Sequence, residues 1–289
     1  MTQFMNYKGF TKSVFSGIGQ VMLQNNAVTG LIFLIAVFYA SWLMGIGALI
    51  GTIIGTLTAI TLKYKEKNIL NGLYGFNGTL VGIALLFFFK PSAFLFIILI
   101  IAAAVSAIVM NFMHKKKLMP YTFPFVLTSW MFIFLIKILN IVPSSFSETV
   151  YFTHVDILSA ISMGFSQVML QASAITGILF FIGILINSRI SAVYALAGSA
   201  IGSLTGLLFF PSLINLINIG IFGFNGVLCG IAFSDKKEHA FIFAAISIVL
   251  SAGIIYGFIA LNFIALTAPF VFATWITMFA KSKIQKIQI

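Results

Sequence analysis

The feature that most limits how this chain can fold is that it is written twice. Gly-Leu-Tyr-Gly-Phe-Asn-Gly-Thr-Leu-Val-Gly-Ile-Ala at 72–84 returns as Ile-Gly-Ile-Phe-Gly-Phe-Asn-Gly-Val-Leu-Cys-Gly-Ile-Ala at 219–232. Each copy reads as a glycine-rich turn, a Phe-Asn-Gly step and an apolar helix. Gly78 and Gly82, and again Gly226 and Gly230, have the spacing that lets membrane helices pack closely. Phe76 and Leu80 lie four apart, as do Phe224 and Leu228, so each pair shares one helix face. The motif is either a duplicated packing device or the lining of something shared by the two copies.

The rest of the chain repeats in the same order. Gly-Ile-Gly-Gln-Val-Met-Leu-Gln at 17–24 answers to Gly-Phe-Ser-Gln-Val-Met-Leu-Gln at 164–171, and Val28-Thr29-Gly30 to Ile175-Thr176-Gly177. The Gly51/Gly55 ladder answers to Gly198/Gly202/Gly206, Thr122-x-Pro124-Phe125 to Thr267-x-Pro269-Phe270, and Trp130 to Trp275. The offset stays between 145 and 148 residues, so a whole half is duplicated. The domains expected are 1–139, a polar linker at 140–156, and 157–289.

What those halves pack in is settled by composition. With 61% apolar residues, 7% charged and a mean hydropathy of +1.15, the chain reads as a polytopic membrane protein. No segment shows the alternation of lipid-facing strands, so the spans are helices. The net charge of +11 sits in short loops, where it sets orientation, and implies no nucleic acid. Cys229, the single cysteine, has no partner for an intrachain disulfide. The first twelve residues are polar and no small-residue cleavage site follows, so no cleavable signal peptide is expected.

Residues 1–13 read as a terminal arm carrying Lys8 and Lys12. The glycine- and Asn-punctuated stretch after them is too short to span and reads as re-entrant. Spans are expected at 27–43, 45–62, about 76–89, 92–113 and from 122 to near Lys137, with the same plan in the second half. Five spans per half is odd, so the second copy is inverted. With the amino terminus on one side, that side receives fourteen of the sixteen Lys and Arg residues and the other only Lys90 and Lys137, as expected for ten spans with both termini cytoplasmic. Inverted repeats with broken helices at matching points place a pathway at the midplane between the halves.

The five acidic residues, Glu66, Glu148, Asp156, Asp235 and Glu238, and all three histidines are expected in loops or the linker. That leaves no intramembrane carboxylate for proton coupling, no metal set and no nucleophile with a base. An enzyme is not expected, and neither is any cofactor. The informative polar residues are those repeated inside apolar helices: Gln20 with Gln167, and Thr122 with Thr267. Gln24 and Gln171 are also repeated, and helical spacing sets them on the same faces as second candidates. Asn77 and Asn225 read as struts of the glycine turns.

Together, two halves of five spans with a re-entrant helix each, Gly-x-x-Gln before an Asn/Thr-Gly turn, Gly-Phe-Asn-Gly-x-Leu-x-Gly-Ile-Ala and Thr-x-Pro-Phe resemble the urea transporters. The resemblance runs over about residues 12 to 281. It implies a homotrimer in the cytoplasmic (inner) membrane, embedded in lipid, with a channel-like slot in each subunit at the repeat interface. It places Phe76, Leu80, Phe224 and Leu228 on the slot walls, Thr122 and Thr267 at its constriction, and Gln20 and Gln167 near its ends. Three residues after each glutamine, where many members of that family carry Phe, this chain has Leu23 and Leu170. Asn26-Ala27 and Ser173-Ala174 replace the family's Asn-Pro.

The chemistry of those side chains suits urea. It is planar and neutral, and moving one amide-like group from water to a medium without partners costs ~4 to 8 kcal/mol. Aromatic walls cover its faces, while hydroxyl, amide and carbonyl oxygens replace the water at its edges. The alternatives that stay open are a channel for ammonia or short amides such as acetamide, an ion-coupled carrier using carbonyl sites, and a scaffold subunit.

Overall fold

The computed structural model describes residues 7–145, 152, 154–234 and 239–287, with side chains up to 283. The chain divides into two compact units, Met1–Glu148 and Thr149–Ile289. The first holds α1 (Tyr7–Gln20), α2 (Ala27–Ala40), α3 (Trp42–Thr61), α4 (Glu66–Leu70), α5 (Phe76–Phe88), α6 (Ala93–Lys115) and α7 (Phe123–Leu139). The second runs in the same order: α8 (Ile157–Gln167), α9 (Ala174–Asn187), α10 (Arg189–Phe209), α11 (Ile214–Asn218), α12 (Phe224–Ala232), α13 (Ala240–Ala260) and α14 (Ala268–Ile287). A 3-10 turn, Pro211–Leu213, leads into α11. Among the described residues the fold is all-helical, with one isolated bridge between Phe89 and Ser144.

Among the described residues four helices, α3, α6, α10 and α13, are long and apolar enough to cross a membrane. Helices α2, α5, α7 and α9 are apolar but shorter. The expected span at 27–43 stops at Ala40 because Ser41 takes extended backbone and caps α3, its Oγ accepting from Met44 N–H at 3.3 Å. Ser188 does the same between α9 and α10, accepting from Ser191 N–H at 3.2 Å. At ~1.5 Å per residue a 14-residue helix such as α2 reaches about 21 Å, short of a ~30 Å hydrocarbon layer.

Several local expectations are corrected. The arm at 1–13 is helical from Tyr7 onward, so Lys8 and Lys12 belong to α1. Thr29-Gly30 and Thr176-Gly177 are not turns but the first turns of α2 and α9. Asn26 Oδ1 accepts from Val28 and Thr29 N–H at 2.8 and 3.1 Å, and Ser173 Oγ from Thr176 N–H at 3.3 Å, so Ala27 and Ala174 simply open helices. Glu66 opens α4, a short helix not expected, and His114 sits in the last turn of α6 rather than in a loop. Glu148, Asp235, Lys236, Lys237 and Glu238 lie outside the described residues.

Inside each unit the glycines put backbone against backbone. A Cβ on Gly51 would meet the backbone of Gly78 and the reverse, and Gly47 and Gly82 form a second such pair between α3 and α5. In the second unit Gly198 and Gly226 repeat this between α10 and α12. The opposite side of the bundle is apolar and uncovered: Phe94, Ile97, Ile101 and Ile108 stand exposed along α6, while Leu95, Leu99, Ala102 and Ala103 are buried. In water such a stripe is a liability, and against lipid tails it costs nothing.

Candidate functional site

Helix α1 ends at Gln20 because the chain then closes a Schellman motif. Gln24 N–H bonds Gly19 C=O at 3.1 Å and Leu23 N–H bonds Gln20 C=O at 2.9 Å, with Leu23 in the left-handed region at φ 58°. The second unit repeats it. Gln171 N–H bonds Ser166 C=O at 3.1 Å, Leu170 N–H bonds Gln167 C=O at 3.0 Å, and Leu170 sits at φ 57°. Glycine is the usual occupant of that place, and a leucine there costs roughly 1–2 kcal/mol. The motif carries the side chain three residues beyond the glutamine out of the helix.

Gln24 and Gln171 therefore do not share a helix face with Gln20 and Gln167, since both lie past the helix end. Their amides turn inward, Gln24 Nε2 donating to Met22 C=O at 2.8 Å and Gln171 Nε2 to Met169 C=O at 2.7 Å. Gln20 remains at the helix end, donating through Nε2 to Asn71 C=O at 3.1 Å. That bond ties α1 to the glycine turn. There Gly72 takes φ 73° and a Cβ would strike the backbone of Ser16 and Gly17; Gly220 at φ 80° stands likewise against Met163 and Gly164.

A second tie crosses from α3. Thr52 Oγ1 donates to Val14 C=O at 3.1 Å, and Ser199 Oγ, its counterpart on α10, to Ile161 C=O at 2.7 Å. This pair is not among the residues expected from the sequence. The only signal was a hydroxyl at matching places in both glycine ladders.

The first unit has an open cavity of about 350 Å³ lined by Gln20, Leu23, Leu73, Phe76, Met110, His114, Leu118, Met119, Pro120 and Tyr121. It brings together Gln20, Leu23 and Phe76 of the expected residues. Leu80 and Thr122 are fully buried and do not line it, although Thr122 directly follows Tyr121. Tyr121 and its counterpart Leu266 are both left-handed, at φ 45° and 48°, and so turn the chain just before each threonine. In the second unit Gln167, Phe224, Leu228 and Thr267 are all buried, and Leu170 is half-buried.

The threonine segments are fixed to the Phe-Asn-Gly helices. Pro124 is the second residue of α7, and the next N–H, that of Phe125, donates to Asn77 Oδ1 at 3.0 Å. Phe270 N–H donates to Asn225 Oδ1 at 3.1 Å. An N–H in a helix's first turn has no partner within the helix, and here the asparagine supplies it. The asparagines are struts, but they brace the Thr-x-Pro-Phe helix starts and not the glycine turns.

A duplicated set of apolar helices, interrupted at matching points and closely packed through glycine, defines a polytopic helical membrane protein. A family model described as urea transporter matches residues 11–282, and the chain belongs to that family. It is 26% identical over 250 residues to urea transporter 1 of Mus musculus, covering 80% of this chain and 62% of that protein. It is 25% identical over 240 residues to urea transporter 1 of Ovis aries, covering 77% and 62%. The chain thus spans about 62% of the length of the relatives it matches.

Proposed function

We propose that the protein passes urea down its gradient through a slot lined by Phe76, Leu80, Phe224 and Leu228. Thr122 and Thr267 stand at the constriction, and Gln20 with Leu23 and Gln167 with Leu170 toward its ends. The subunit is read as ten spans in two inverted halves, divided at 139 and 157, with both termini cytoplasmic. Three copies assemble in the cytoplasmic membrane.

The observation that carries this reading is the cavity on which Gln20, Leu23 and Phe76 converge. It sets an amide, an aromatic face and an aliphatic side chain around one space, as a planar neutral amide needs. Family membership supports the solute.

The test is stopped-flow light scattering on proteoliposomes under an inward urea gradient with no ion gradient. Entry well above empty liposomes supports the channel. Entry equal to empty liposomes and restored by a proton or sodium gradient replaces it with a carrier. Faster acetamide or ammonia entry changes the solute.

A further inference from the structure

The two units share one plan, and one place where they differ is the end of the third helix in each. In the second unit, the end of α10 is closed by aromatic rings. Phe210 stacks on Tyr256 with centroids 4.0 Å apart and planes 11° apart, and on Phe222 at 5.6 Å and 19°. The corresponding residues of the first unit are Lys63, Asn111 and Tyr74. There the rings are replaced by a cavity of about 660 Å³, lined by Lys63, Lys65, Lys115, Lys117, His114 and Tyr64 over a floor of Tyr74 and Asn111.

We propose that this cavity is a binding site for a phosphate-bearing anion. Of the six lysines in the two basic turns, at 63, 65, 67, 115, 116 and 117, four line it. No carboxylate lines it, and none of those four ammonium groups makes an ion pair among the described residues. Lys63 and Lys117 occupy left-handed positions, φ 53° and 56°, that end α3 and α6, which aims both helix C-termini at the same place. Those ends contribute about half a negative charge each, so four ammonium groups leave a strongly positive site.

Loop lysines by themselves would only set orientation in the membrane. A loop that only oriented the chain would need neither a concave space nor a polar floor. Here Tyr74 and Asn111 are buried, with Tyr74 Oη donating to Asn111 Oδ1 at 3.2 Å. Phosphate oxygens are acceptors only and match the ammonium donors, while the Tyr74 proton, held by Asn111 Oδ1, leaves the Asn111 amide N–H as the donor of the floor. The exposed lysines leave the site open to a soluble phosphate or to a lipid headgroup, which share that chemistry.

The site also touches the candidate path. His114 and Leu118 line both cavities, and His114 Nε2 lies 3.1 Å from Asn68 Nδ2, in the hydrogen-bonded loop that reaches Gln20 through Asn71. An anion held there sits beside the expected mouth of the slot. Binding does not depend on the identity of the transported solute, so its test stands apart from that of urea flux.

The full chain, purified in a neutral detergent, is titrated calorimetrically with inorganic pyrophosphate. Its thermal unfolding is then followed in phosphatidylcholine nanodiscs with and without phosphatidic acid. The expected result is saturable binding that weakens at least tenfold in Lys63→Gln/Lys65→Gln/Lys115→Gln/Lys117→Gln, and stays unchanged in Lys281→Gln/Lys283→Gln, which lies outside the cavity. Lys63→Gly with Lys117→Gly, which keeps both left-handed turns and removes two of the four ammonium groups, weakens binding while the protein stays folded. Response to pyrophosphate alone assigns a soluble ligand, and response to phosphatidic acid alone assigns a lipid. No response to either, or equal response in wild type and the four-lysine variant, overturns the proposal.

Discussion

Asn77 Oδ1 accepts the backbone N–H of Phe125 at 3.0 Å, joining the two motifs that sequence alone left as separate runs 48 residues apart. Because Phe125 lies in the first turn of α7, no acceptor within the helix can take that N–H. Asn77→Ala leaves the donor buried and unpaired, at a cost of about 1–3 kcal/mol. Thermal unfolding in detergent is expected to drop by several degrees, with slower urea entry because Thr122 loses its brace. An unchanged melting temperature would remove the strut from the account.

The walls are tested by selectivity. Phe76 and Phe224 stand at the first position of α5 and α12, both nearly buried. Phe76→Ala or Phe224→Ala is expected to admit larger amides such as acetamide with little loss of urea flux. Paired urea and acetamide rates on the same vesicles read this directly, and an unaltered ratio in both variants argues against the slot.

Thr122 and Thr267 test the constriction. Valine keeps the shape and removes the hydroxyl. Loss of one hydrogen bond worth about 1 kcal/mol slows passage roughly fivefold, so Thr122→Val and Thr267→Val should each cut urea flux by about that factor. Full activity in both would place the narrow point elsewhere.

The glycine seam is tested by contrast with a glycine that meets nothing. Gly51→Val drives a side chain into the backbone of Gly78, and no rotamer relieves it. A monodisperse protein is not expected from that variant. Gly253, on α13, has open space around a Cβ. Gly253→Ala should be neutral or stabilising by roughly 0.5–1 kcal/mol, so size-exclusion profiles separate the two.

Leu23 holds a glycine's backbone conformation at φ 58°. Leu23→Gly relieves roughly 1 kcal/mol of that strain and should raise the melting temperature. It also strips the cavity of an aliphatic wall, so the prediction is a more stable and less selective protein. Stability and selectivity moving together would contradict it.

Duplication made the element order legible, because any signal weak in one half was repeated in the other. The helix pairs α3 with α5 and α10 with α12 could be anticipated from Gly51, Gly78, Gly198 and Gly226, since small residues at that spacing have one common use. The end of α1 could not be. Leu23 gives no sign of a left-handed turn, and periodicity carried the helix on to Gln24. Helices α4 and α11, five residues each, are too short to show a period. The basic cavity was hidden for another reason. Lys63 and Lys117 are distant in sequence, and each is fully accounted for by charge bias until the fold puts them on one rim.

The seam of Gly47 and Gly51 against Gly82 and Gly78 is made mainly of main chain, with the Leu86 side chain beside Gly47. Helices joined in that way cannot approach more closely, because main chain already meets main chain. The helix bearing Phe76 and Leu80 is thus seated hard against its scaffold. If the proposed slot carries urea, its barrier belongs to the solute shedding its water, and the rate should rise with temperature no more steeply than that shedding demands.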